Sequence, residues 1–173
     1  AGVNGDAAIA AGDATDSPVA TTIDPIAGGT ALLRTVLVID DDPDIAEQLA
    51  ALMQERRARV HVFTSEQPFQ AAVKESDPDA TTLLIDLVMP SSHGCGMLGG
   101  LDLLKQIRQT CPGFQVLVMT DHTDPAAEEN VTRFGVRSLL TKPTRAQLQD
   151  AAGRDLLEAL IEAVLTAEPS RPK

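Results

Sequence analysis

Short apolar runs punctuate the chain, and each closes on a polar residue. Val36-Leu37-Val38-Ile39 ends in Asp40-Asp41-Asp42-Pro43, Leu83-Leu84-Ile85 ends at Asp86, Gln115 to Met119 ends at Thr120, and Ser138 to Thr141 ends at Lys142-Pro143. Unbroken apolar runs of this length predict strands covered on both faces, as in a parallel sheet. Arg59 to Phe63 alternates and predicts one more strand. Between the strands, apolar residues return at helical spacing. Ile45, Leu49, Leu52 and Met53 do so within Asp44 to about Arg57, leaving Glu47 and Glu55 outward. Phe69, Ala72 and Val73 mark a second helix over 67–74. Leu101, Leu103, Leu104 and Ile107 mark a third that stops before Pro112, and Ala127, Val131 and Phe134 a fourth that ends at Gly135. Asp124-Pro125 reads as an N-cap followed by proline at the first helical position. A last helix is predicted from about Ala146 to Ala167, with Leu148, Ala152, Leu156, Leu157, Leu160, Ile161 and Val164 on one side and Gly153 as a weak point. Its apolar surplus near Ile161 to Leu165 reads as a dimer or partner surface.

Strand and helix alternate five times. That order predicts an α/β fold, a doubly wound five-stranded parallel sheet between two helical layers. Residues 1–33 are rich in Ala, Gly, Thr and Asp and follow neither period, which predicts a flexible N-terminal tail. Residues 34–167 then form the one domain, and 168–173 a short C-terminal tail. No basic, apolar leader opens the sequence, and no run approaches the roughly 18 apolar residues of a membrane span. The expectation is a soluble cytoplasmic protein with no membrane partner.

Composition narrows the choice of chemistry. Aromatic residues make up 2% of the 173, with no Trp or Tyr, so the core is aliphatic and base-stacking platforms are missing. The formal net charge of −11 repels nucleic-acid phosphates and anionic lipid surfaces, so direct nucleic-acid binding is not expected. A divalent cation or a partner with a basic face suits it better. The two cysteines, Cys95 and Cys111, make no disulfide framework.

In open parallel sheets ligands bind at the carboxyl ends of the strands. The residues delivered there are Asp40, Asp41, Asp86, Thr120 and Lys142. Clustered carboxylates repel unless a proton or a cation intervenes, and Mg2+ held by carboxylates, a backbone carbonyl and waters relieves the repulsion. With a hydroxyl and an ammonium the set reads as a phosphoryl-transfer site whose nucleophile is a carboxylate. Taken singly, each residue has a plainer reading: Asp is common after strands, and Asp42 or Asp44 is placed to cap the first helix.

The motifs Val38-Ile39-Asp40-Asp41-Asp42, Leu84-Ile85-Asp86-Leu87-Val88-Met89-Pro90, Val118-Met119-Thr120 and Leu140-Thr141-Lys142-Pro143 together resemble the receiver domains of two-component response regulators. The resemblance runs from about Thr35 to Leu165 and implies a flavodoxin-like (βα)5 sandwich of the stand-alone chemotaxis-regulator kind. It implies that Asp86 accepts the phosphoryl group, that Asp41 and Asp86 ligate Mg2+ directly with the backbone carbonyl of Val88, and that Asp40 contacts the ion through water. Thr120 and Lys142 match the residues that bind the phosphoryl group. The Lys142–Pro143 bond matches one that is often cis, and Asp42 matches no ligand. The implied partners are a histidine kinase or histidine phosphotransfer protein and a downstream protein target. The implied chemistry is confined to the domain's own phosphorylation and dephosphorylation.

Several positions depart from that pattern. Ser91 to Gly100 is long and Gly-rich, with His93 and Cys95 inside it. Leu139 stands where many receivers carry an aromatic switch residue. Asp121 follows Thr120 where a small residue is usual, which predicts slower phosphorylation, and His122 comes next. Two further readings stay open. One is a degenerate receiver that only docks partners. The other is a haloacid-dehalogenase-type phosphatase with Asp40 as nucleophile and Asp42 as acid–base, although no acidic pair follows Lys142 at a strand end.

Overall fold

The computed structural model of the chain describes residues 34–91, 98–122, 124–137 and 139–168. Five strands, β1 (Thr35–Ile39), β2 (Arg59–Phe63), β3 (Thr81–Asp86), β4 (Gln115–Thr120) and β5 (Leu139–Thr141), form one sheet in the order β2-β1-β3-β4-β5. Every pairing is parallel. Five helices connect and follow them: α1 (Pro43–Glu55), α2 (Glu66–Glu75), α3 (Gly99–Thr110), α4 (Pro125–Arg133) and α5 (Ala151–Thr166). Among the described residues, no helix is long and apolar enough to cross a membrane.

The strand alternation sorts side chains onto two faces. Leu37, Ile39, Leu83, Ile85, Val116 and Val118 pack with Phe69 and Val73 of α2, Leu103, Leu104 and Ile107 of α3, and Val131 of α4. Val36, Val38, Leu84 and Met119 pack on the other face with Ile45, Leu49 and Met53 of α1 and Leu157, Leu160, Ile161 and Val164 of α5. Both faces of the central strands are therefore covered, which is why those strands read as unbroken apolar runs.

The caps explain the helix starts. Asp42 and Asp124 each accept a hydrogen bond from the backbone N–H two residues on, and each is followed by proline at the first helical position. Gly135 takes φ +76° just past α4, a conformation that costs a glycine nothing.

The last helix corrects two expectations. The chain does not run as one helix from Ala146. A 3-10 turn at Gln147–Gln149 comes first, and Asp150 then caps α5 by accepting from the Gly153 N–H at 2.7 Å. Gly153 is a requirement of that corner, since a Cβ there would lie 1.9 Å from the Gln147 carbonyl oxygen. Nor is there an apolar surplus at the far end, because Leu160, Ile161 and Val164 are core residues and Leu165 packs against them. The Lys142–Pro143 bond is trans, as is every peptide bond among the described residues. The predicted tail over 1–33, together with His93 and Cys95, lies outside the described residues. Cys111 caps the end of α3, half-buried against the core.

Candidate functional site

The sheet order places β1 and β3 side by side while their connections leave in opposite directions, so a crevice opens at their carboxyl ends. The register pairs Ile39 with Ile85, which sets Asp40 and Asp86 level with each other one residue on. One carboxylate oxygen from each of Asp40, Asp41 and Asp86 lies within 4.8 Å of the other two. Asp40 and Asp86 are buried, and Asp41 is exposed at the mouth.

Lys142 reaches this cluster from the end of β5. Its backbone N–H donates to the Thr120 carbonyl at 2.9 Å, which carries the sheet ladder one residue past the strand. Its Nζ donates to Asp40 Oδ2 at 2.7 Å and to Asp86 Oδ2 at 2.8 Å, and all three side chains are at least 95% buried. The other oxygens of the two carboxylates take backbone donors: the Asp42 N–H reaches Asp40 Oδ1 at 2.8 Å, and the Val88 N–H reaches Asp86 Oδ1 at 3.3 Å. Val88, singled out for its carbonyl, thus meets Asp86 through its amide.

Burial dominates the electrostatics. It pushes Asp86 up to about 7, and the neighbouring Asp40 charge adds to the push, while Lys142 only partly opposes it. Burial raises Asp40 as well, against the pull of Lys142. Burial would lower Lys142, but the two carboxylates outweigh it and hold the ammonium charged. One ammonium among three carboxylates leaves two negative charges uncompensated. An all-oxygen donor set with that deficit fits a hard divalent cation such as Mg2+ better than any soft metal.

Thr120 is fully buried at the end of β4. Its Oγ1 donates to the His122 carbonyl at 3.1 Å and accepts from the His122 N–H at 3.2 Å. The hydroxyl is therefore tied to its own loop rather than to the acids. Asp121 and His122 are exposed, and Leu139 is half-buried against the core. Asp42 does not join the acidic cluster. It caps α1 and pairs with Arg145, whose hydrogen bond holds its carboxyl below the usual range.

The sequence pattern did not single out three of the residues at this rim. Gly100, in the first turn of α3, sits so close to β3 that a Cβ would lie 1.9 Å from the Asp86 carbonyl oxygen. Gly99 is similarly pressed against Pro90, at 2.4 Å. The glycine-rich composition before α3 was visible, but a close approach between distant backbones is not. Arg145 was also missed, because it belongs to no strand end.

Comparison with known proteins agrees with this geometry. Residues 36–152 match the family model described as the response regulator receiver domain. The chain is 32% identical over 111 residues to a response regulator receiver protein of Anaeromyxobacter sp. (strain Fw109-5), covering 64% of this chain and 43% of the relative. It is 33% identical over 108 residues to the DNA-binding transcriptional regulator NtrC of Salmonella typhimurium, covering 62% of this chain and 21% of that protein. This chain therefore spans less than half the length of either relative. Its fold is similar to that of the Vibrio cholerae chemotaxis protein CheY4, with a TM-score of 0.59 at 19% identity over 76% of this chain and 98% of the other. A CheY-like receiver domain protein of Methanospirillum hungatei gives a TM-score of 0.55, also at 19% identity, over 76% and 94% of the two chains. The family match over most of the folded residues and the five-stranded parallel sheet of chemotaxis-protein type lead to one conclusion: this chain belongs to the response regulator receiver domain family.

Proposed function

We propose that the chain is the phospho-accepting switch of a two-component phosphorelay, with Asp86 as the acceptor and residues 34–167 as the receiver unit. The observation that carries this reading is the Asp86 carboxylate, buried at the end of β3, held by Lys142 and flanked by Asp40 and Asp41. Receiver domains generally bind Mg2+ at such an acidic pocket, and here Asp40, Asp41 and Asp86 with the backbone at Val88 would hold it. When bound, the ion neutralises charge on the oxygens of the transferring phosphoryl group.

This chain's own residues do the rest. An Asp86 oxygen attacks phosphorus while the nitrogen–phosphorus bond of a phosphohistidine breaks, its electron pair returning to the imidazole. Lys142 leaves Asp86 Oδ2 and pairs with a phosphoryl oxygen. Thr120 gives up the His122 carbonyl to donate to another. Attack of water at phosphorus later restores the carboxylate. The donor is a histidine kinase or histidine phosphotransfer protein, and the output is a change in affinity for a downstream protein. The net charge of −11 opposes direct contact with nucleic acid.

Leu139 supports a second reading, a receiver that docks partners without phosphorylation, because the side chain packed on the core there has no ring to reorient. The phosphatase reading loses its acid–base group, since Asp42 is committed to the α1 cap and to Arg145. Beryllofluoride with Mg2+ tests the choice. The proposal expects amide shifts around residues 40–42, 86–88 and 120–122 that Asp86→Asn abolishes, whereas the docking module expects none.

A further inference from the structure

The buried Lys142 contacts have an exposed counterpart. Arg145, three residues further along the same loop, reaches back across the rim. Its Nη2 lies 2.9 Å from Asp42 Oδ1 and its Nε 3.3 Å from Asp42 Oδ2, a two-pronged grip, and Nη2 also lies 3.0 Å from Asp44 Oδ2. Asp42 is not an isolated surface acid. Its carboxylate caps α1 through the Asp44 N–H at 3.1 Å, and its own N–H donates to Asp40 Oδ1 at 2.8 Å. Asp40 in turn accepts from Lys142. The chain of contacts from Asp40 through Asp42 and Arg145 to Lys142 therefore closes on itself. It ties the β1–α1 turn, which carries Asp40 and Asp41, to the β5–α5 loop, which carries Lys142.

We propose that Arg145 is a positioning residue: its clasp on Asp42 and Asp44 holds the lysine loop against the aspartate turn while Lys142 exchanges a carboxylate partner for the phosphoryl group. This rests on the phospho-acceptor reading, and its logic lies in the order of events. The inner tie consists of Lys142 bridging Asp40 and Asp86, and phosphorylation is the step that disrupts it. The outer tie touches neither Asp86 nor the incoming group, so it survives that step. A bidentate guanidinium on a carboxylate already fixed by a helix cap is also the geometry in which an exposed pair contributes most. Lysine at the same position supplies the charge without the fork.

The test separates the clasp from the receiver reading. In Mg2+ and acetyl phosphate, Arg145→Ala is expected to lower the saturating labelling rate about threefold to fivefold. The Mg2+ concentration giving half the maximal rate is expected to move less than about twofold, because the direct carboxylate donors remain. Arg145→Lys recovers part of the rate. Asp42→Asn, which keeps a capping side chain, shows a similar loss, and the double variant is no slower than either single one. Independently of labelling, the amide protons of Asp42 and Lys142 exchange faster in Arg145→Ala while those of α3 do not. Wild-type labelling rates in both single variants, or losses that multiply in the double variant, overturn the clasp. If the wild-type chain takes no label at all, the acceptor reading fails, and the proton exchange alone decides whether Arg145 ties the two loops.

Discussion

Asp42 and Asp86 are the same residue type, each facing a cation, yet their carboxyls are driven in opposite directions. Asp42 lies at the rim, where the hydrogen bond from Arg145 outweighs modest burial and lowers its pKa. Asp86 is 1% exposed, and there burial together with the neighbouring Asp40 outweighs Lys142 and pushes the carboxyl up to about 7. The difference lies in desolvation, not in the partner, since the cation-to-oxygen distances are 2.9 Å and 2.8 Å. One carboxylate caps and fastens. The other is kept under electrostatic pressure that a proton or a bound divalent cation would relieve.

Breaking the buried side should have the largest consequence. Lys142→Met leaves two carboxylates without their shared ammonium, and near neutral pH in chelator it should cost on the order of 2–4 kcal/mol. Urea unfolding measures this, and the loss should shrink in acid as the carboxyls protonate. Asp86→Asn removes the pressure and should act in the opposite direction. A carboxyl whose folded pKa stands above its unfolded value of 3.8 contributes stability below about pH 4 that is lost as pH rises toward about 7. Metal-free wild type should therefore weaken over that window. Asp86→Asn should flatten the slope and gain on the order of 1–3 kcal/mol near neutrality, while labelling disappears.

A smaller change displaces the site without altering its charge. Gly100→Ala forces a Cβ against the Asp86 carbonyl, so it should cost about 1–3 kcal/mol and weaken the response to Mg2+ measured by calorimetry. The rim should respond least. Asp42→Asn keeps an N-cap acceptor and loses only an exposed ion pair, so it should change stability by less than about 1 kcal/mol. Its sign is also opposite to that of Asp86. The lowered pKa of Asp42 gives stability present above about pH 4 and lost as pH falls, and the Asn variant should remove that small acid-side loss.

Much of this arrangement is legible in the amino-acid sequence. The buried strands announced themselves because both faces of a parallel sheet are covered, and Asp40, Asp41, Asp86, Thr120 and Lys142 fell at strand ends because the apolar runs stop there. The Asp124-Pro125 cap was legible because capping chemistry is local. Four kinds of feature were not. The break at Asp150 was hidden because Leu148 continues the apolar stripe of α5 across it. Gly100 and Gly153 are required by backbones that approach from elsewhere in the chain, which no local pattern encodes. The Arg145 clasp joins residues 103 apart in sequence through exposed charges, and exposed charges carry no period. The tethering of Thr120 to His122, in place of an open hydroxyl, likewise depends on the turn that the β4–α4 loop adopts.

The central claim is that Asp86 is the reactive acid of the cluster. Intact-mass and peptide analysis after incubation with acetyl phosphate and Mg2+ tests it most directly. The account predicts one hydroxylamine-labile phosphoryl group, lost in strong acid as well as in base, on the peptide containing Asp86, dependent on Mg2+ and absent in Asp86→Asn. Label on Asp40 or Asp41, or undiminished label in Asp86→Asn, would contradict it.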